Sequence, residues 1–215
     1  MDRYLIYGEK GAGSVPVEAT LLLLGEPYQL VERTTQENQA GIGADALARV
    51  NPMGQVPALV LPTGELMTES AAILIYLADS HPTSSLSPAL DDPRRPAFLR
   101  WMAYVSAQIY AMYWVRDVPE RLAADEAHKA VILQRTAERI AHCWRTMGAQ
   151  LDPRRYILGD DLTVLDLYVT VASRWTPGRK RFDQEAPNLA DVVRRVDQDT
   201  RLVDFWAERF PLVQV

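Results

Sequence analysis

The sequence predicts a chain in two parts: an α/β N-terminal half in the order β-α-β-α-β-β-α, followed by an all-α helical bundle. Three observations carry this. Residues 1–79 alternate short apolar runs of strand length with helical patterns. Residues 80–93 hold three prolines and four serines, which read as a linker. Residues 94–215 show helical periodicity alone.

The elements follow in order. Tyr4–Tyr7 is a short strand. Pro16 suits the first turn of a helix, and Gly25 suits its C-terminal cap. Tyr28–Glu32 reads as the second strand. The polar stretch Gln36–Gly43 reads as a loop, before a short helix over Ala44–Val50. Two apolar runs, Ala58–Leu61 and Glu65–Met67, flank a Pro-Thr-Gly turn and predict a β-hairpin. A helix then runs from about Glu69 to Asp79, with Ile73, Tyr76 and Leu77 at helical spacing.

Beyond the linker, Phe98, Trp101, Met102, Val105, Ile109, Met112 and Tyr113 mark one face of a long helix. Leu133, Ala137, Ile140, Trp144, Met147 and Leu151 mark another, ended by Asp152-Pro153. Thr163 and Asp166 form a capping box, a folding signal, for a third. Phe205, Trp206 and Phe210 point to a last packed helix.

Composition narrows the function classes. At 215 residues and 48% hydrophobic content the chain can bury a sizeable core. A formal net charge of −5 argues against a general nucleic-acid binder. Arg174, Arg179, Lys180 and Arg181 make a short basic cluster, read as a solvated loop. The one cysteine, Cys143, allows no internal disulfide and no cysteine-based zinc site; on an apolar helix face it reads as an inert small hydrophobe. A cytoplasmic setting is the natural expectation. The N-terminus enters Arg3-Tyr4-Leu5-Ile6-Tyr7 directly, so no leader is expected, and no apolar run is long enough to span a membrane.

Chemistry concentrates at residues 51–70. Val56-Pro57 precedes the hairpin's first strand, and X-Pro is the bond that adopts cis at a cost of only about 0.5–1 kcal/mol. A cis bond there is expected to turn the Val56 N–H and C=O outward, toward an extended peptide. Glu69 and Ser70 open the next helix, where a carboxylate suits an ammonium and a helix end suits a carboxylate.

This string resembles the glutathione-binding half of the glutathione S-transferase family. The matching elements are Gln55-Val56-Pro57 and Glu69-Ser70. In that family they hold the cysteinyl backbone and the γ-glutamyl end of glutathione. The element order matches a thioredoxin-like domain, and Leu158–Asp166 looks like the family's approach to the buried central helix of its second domain. The resemblance covers essentially the whole chain. It implies domains at 1–79 and 94–215, with 80–93 between them. It also implies a homodimer with glutathione as co-substrate, no metal, and conjugation of the glutathione thiolate to a small hydrophobic electrophile. Peroxidase, dehalogenase, isomerase and non-catalytic binding roles stay open.

A thiol near pKa 8.5 needs a hydrogen-bond donor or a helix N-terminus to ionise at neutral pH. Ser14, two residues before Pro16, looks like the serine of the bacterial-like serine-type members and is the candidate catalytic residue. It also suits a plain N-cap. Tyr7 and Tyr4 are rivals. No cysteine occurs near this turn, which excludes thiol–disulfide exchange through a protein cysteine there. Gln36, Asn38, Gln39 and Gly54 stand where relatives carry basic residues for the glycyl carboxylate; Arg33 or Lys10 is left to supply that charge. Asn51 is expected to stabilise its own turn. The electrophile is expected against Tyr110, Tyr113 and Trp114, with Arg116 and Trp175 nearby.

Overall fold

A computed structural model describes residues 3–34 and 41–212. The loop residues Gln36, Asn38 and Gln39 lie outside that range. By packing, the chain divides into two units. One comprises residues 1–90 together with 197–215, the other residues 91–196.

The first unit carries a mixed sheet in the order β2-β1-β3-β4. Strands β1 (Tyr4–Gly8) and β2 (Tyr28–Glu32) run parallel. The hairpin strands β3 (Ala58–Val60) and β4 (Leu66–Met67) are antiparallel to each other, and β3 is antiparallel to β1. Along β1, Tyr4, Ile6 and Gly8 are buried while Leu5 and Tyr7 are half-buried, the alternation a two-sided sheet imposes.

Helix α1 (Val15–Leu24) starts with proline in its first turn. It ends at Gly25, whose φ of 70° is the left-handed cap that glycine adopts without a Cβ clash. A short α2 (Ala44–Val50) buries Leu47. Helix α3 (Ser70–Ser80) packs on α1. Ile6, Leu21, Leu59, Ile73, Leu74 and Leu77 are wholly buried and form this unit's core. This is the thioredoxin-like arrangement expected.

The second unit is helical. Helix α4 (Arg95–Tyr104) passes through a π-helical stretch, Val105–Tyr110, into α5 (Ala111–Asp117). A straight α-helix was expected here. The wider π turn takes up an extra residue, a feature often met near functional sites. Cys143 is buried against this stretch, and its thiol donates to the Gln108 carbonyl at 3.6 Å. Helix α6 (Glu126–Ala149) packs along α5. Its buried face begins at Thr136; Leu133, expected on that face, is exposed.

Helix α7 (Val164–Ala172) is buried along its whole length. Its capping box closes as expected. Asp166 accepts from the Thr163 N–H and hydroxyl, both at 2.8 Å, and from the Ile157 N–H at 2.8 Å. Helices α8 (Arg179–Glu185) and α9 (Pro187–Asp197) follow. The basic cluster thus lies largely in a helix, where Arg181 pairs with Glu185 at i,i+4.

Helix α10 (Val203–Arg209) was expected with the C-terminal helices and belongs instead to the first unit. The reason is polar: Arg209 is bound to α1 through Glu18, and its carbonyl accepts the N–H of Gly11 at 2.9 Å.

Candidate functional site

The strand register brings the sequence-predicted residues together. Leu59 pairs with Met67 and Val60 with Leu66. Residues 55–57 thus enter β3 at the end of the sheet where β4 leaves for Glu69 and Ser70. On the other side, Tyr7 pairs with Ala58, so Gly8 and the turn after β1 begin level with Pro57. Gln55–Pro57, Glu69–Ser70 and the Gly8–Ser14 turn therefore converge at one end of one sheet. In α/β folds this is where ligands bind, beyond the carboxyl ends of the parallel strands.

Each part is locally fixed. Asn51, as expected, stabilises its own turn. Its amide donates to the Gln55 carbonyl at 2.8 Å, and its carbonyl oxygen accepts from the Met53 N–H at 3.1 Å. This holds Gln55 at the mouth of β3. The Val56-Pro57 bond is cis. Glu69, at the N-cap of α3, has φ 65° and ψ 101°. That region costs a side-chain-bearing residue about 1–3 kcal/mol and clusters at functional sites. The Glu69 carboxylate is exposed, whereas Ser70 is buried.

Ser14 differs from expectation. It is wholly buried, and its side chain folds back over Gly8. The hydroxyl donates to Glu18 Oε1 at 2.8 Å and accepts from the Glu9 N–H at 3.0 Å. It makes no side-chain cap bond to α1 either. The Glu9 carbonyl, at 3.3 Å, is a second acceptor for the hydroxyl's single hydrogen. In this arrangement the hydroxyl is engaged by the protein's own groups.

Sequence reasoning missed Glu18, Glu32 and Arg209. Arg209 donates to both oxygens of Glu18, Nε at 2.6 Å and Nη2 at 3.1 Å, and its Nη1 lies 3.0 Å from Glu32 Oε2. Burial pushes the Glu18 carboxyl above its usual range, opposed by Arg209 and by the Ser14 hydrogen bond. One signal was available: Glu18 is the single acid in the apolar helix VPVEATLLLL, and a buried carboxylate needs a partner. Arg33, a candidate for the glycyl carboxylate, is tied to Glu9 at 2.6 Å, while the Lys10 side chain is exposed. Tyr7 is half-buried at the end of β1.

Within the second unit, Tyr110 and Tyr113 both meet Trp175 edge to face, at 4.8 and 5.0 Å between ring centroids. Tyr113 is closed in, its hydroxyl donating weakly to carbonyls of Ala172 and Trp175. Burial raises its pKa. Trp114 stands apart, 41% exposed, with the Arg121 guanidinium 4.5 Å above its ring. Arg116 is engaged by α6, donating to the Leu133 carbonyl at 2.6 Å. A separate open cleft of about 510 Å³ is lined by Arg94, Asp152, Arg154, Asp160 and Asp161 and contains none of the expected site residues. Among the described residues, no group of three His, Cys, Asp or Glu is placed to hold a metal, and no helix is long and apolar enough to cross a membrane.

The glutathione S-transferase N-terminal domain pattern matches residues 14–80. The chain is 32% identical over 200 residues to the uncharacterised GST-like protein YncG of Escherichia coli K12, covering 92% of this chain and 94% of that protein. It is 26% identical over 199 residues to glutathione S-transferase GstA of Escherichia coli O157:H7, covering 93% and 95%. Among solved structures it resembles a sphingomonad glutathione S-transferase complexed with glutathione. The TM-score is 0.75 at 25% identity, over 93% of this chain and 96% of that one.

Proposed function

Because the chain belongs to the glutathione S-transferase family, we propose that its first unit binds glutathione and that the protein conjugates the tripeptide's thiolate to a small hydrophobic electrophile. The observation that carries this reading is the convergence of Gln55–Pro57, Glu69–Ser70 and the turn before α1 at one end of the sheet. Relatives named as transferases and a neighbour holding glutathione support it.

In this reading the backbone of Val56 pairs with the cysteinyl residue and Gln55 borders it. Glu69 takes the γ-glutamyl ammonium. Ser70 and the start of α3 take the adjoining carboxylate. The sulfur lies at the N-terminal end of α1. The macrodipole there offers up to about 2 kcal/mol, enough to move a thiol pKa by about one unit. Tyr7 is the remaining side-chain donor for the sulfur. Tyr110 and Trp175 suit an apolar electrophile, with Tyr113 locking the ring cluster from behind. Rate enhancement then comes from ionisation of the sulfur and orientation of both reactants. A cytoplasmic homodimer fits this role.

The inward-turned Ser14 favours one second reading: a glutathione-binding protein with other or no chemistry at sulfur. Calorimetric titration with glutathione, followed by product identification across aryl halides, epoxides, peroxides and unsaturated carbonyls, separates the two. Micromolar-to-millimolar binding with a thioether product is expected. Binding without any thioether product supports the second reading, and no binding refutes both.

A further inference from the structure

The turn between β1 and α1 ends, amide by amide, on one residue at the far end of the chain. The N–H of Glu9 donates to Ser14, whose hydroxyl donates to Glu18, which is held by Arg209. The N–H of Lys10 donates to Glu32 Oε1 at 2.9 Å, and the other oxygen of Glu32 is held by Arg209. The N–H of Gly11 donates to the Arg209 carbonyl itself at 2.9 Å. Phe210 closes the arrangement. Its ring lies 3.4 Å from where a Cβ on Gly11 would sit, at a residue with φ +71°.

We propose that Arg209 is a positioning residue: it fixes the backbone of residues 9–11, and so the N-terminal end of α1, where the glutathione sulfur would lie. The proposal rests on the glutathione reading given above.

Two physical points favour positioning over simple stabilisation. A buried ion pair is weak evidence for stability, because apolar replacements of both partners are often as stable or more so. Arg209 is 5% exposed and Glu18 wholly buried, so this pair has given up most of its hydration. What an apolar pair could not supply is direction. The guanidinium is planar, with donors in a fixed fork that both oxygens of Glu18 and one of Glu32 occupy. Through those carboxylates the fork sets where two consecutive amides point, and the Arg209 carbonyl sets the third.

The experiment compares wild type, Arg209→Met and the double variant Glu18→Met/Arg209→Met. Measured are thermal stability, amide exchange at residues 9–11, the pKa of bound glutathione from thiolate absorbance, and kcat and KM with an activated aryl chloride. Arg209→Met leaves a buried carboxylate unpaired, so stability and turnover both fall. The double variant removes that charge and is expected to regain most of the lost Tm. Its exchange at Glu9, Lys10 and Gly11 should stay at least tenfold faster than wild type, with β1 unchanged. Its bound thiol pKa should stay about one unit high, and kcat about tenfold low at neutral pH. A double variant that recovers exchange, thiol pKa and kcat along with Tm overturns the proposal. A wild type that takes up no glutathione refutes the glutathione reading instead, and the exchange data alone then decide whether Arg209 fixes the turn.

Discussion

Replacing Ser14 by alanine separates two accounts of the turn. The hydroxyl is one of the donors to the wholly buried Glu18 carboxylate, at 2.8 Å, and it accepts the Glu9 N–H at 3.0 Å. A hydrogen bond to a charged group contributes about 1.5–3 kcal/mol, and an amide left without its acceptor costs about 1 kcal/mol or more. The expected loss is therefore about 3 kcal/mol, or roughly 6–12 °C in Tm for a chain of this size. A serine facing an open thiol site would behave differently. Its removal would cost the free protein no more than about 0.5 kcal/mol, as at ordinary surface positions. Thermal and urea unfolding of Ser14→Ala without glutathione tests this. An unchanged Tm, together with a raised pKa of bound glutathione, would refute the inward role argued here and restore the sulfur contact.

Four other outcomes follow from the same geometry. Gly8→Ala places a Cβ 2.6 Å from Ser14 Oγ and 3.1 Å from Glu18 Oε1, so it should lower the urea midpoint of unfolding by an amount equivalent to about 2 kcal/mol or more. Glu69→Gly relieves the backbone at φ 65° and should raise Tm by about 2–4 °C, while Glu69→Gln, lacking the charge, weakens glutathione binding about tenfold by calorimetry. Burial raises the Asp166 carboxyl to about 6, against the pull of its hydrogen bonds. Its folded pKa thus lies above the unfolded value of 3.8, the folded state holds the proton longer, and this contribution to stability is lost as pH rises through about 6. Relative to Asp166→Asn, the wild-type advantage in urea should shrink by up to about 3 kcal/mol between pH 4 and pH 7.5.

Much of the fold was legible because its signals are local. Pro16 and Gly25 bracket α1, the Pro-Thr-Gly turn marks the hairpin, and Thr163 with Asp166 opens α7. Two glutathione-motif halves about twelve residues apart could be joined because an antiparallel register is set by its turn. What stayed illegible depends on long-range partners or on backbone detail. The apolar spacing of Phe98–Tyr113 reads straight through the π turn, since periodicity reports the buried face and not the winding. The place of α10 depends on an ion pair between residues 191 apart in sequence, which no local window contains. The turn of the Ser14 hydroxyl toward Glu18 was hidden for a related reason. Ser-x-Pro fits several roles, and only the partner four residues on, Glu18, decides which way the hydroxyl turns.

Several costs in this fold fall together. Glu69 sits in a backbone region a side chain avoids, Gly8 leaves no room for a Cβ, and Glu18 and Arg209 bury opposite charges. None of these is needed to form a sheet with two helices against it; apolar residues and ordinary dihedrals would serve. All lie at the same end of the sheet, where β1 stops, β3 begins and α3 starts. Strain and buried charge gathered at this edge hold specific backbone groups in fixed directions there. The groups so held are the turn amides of residues 9–11, the entry to β3 and the first turn of α3. They are the parts that recognition of an extended tripeptide with an ammonium and two carboxylates would require.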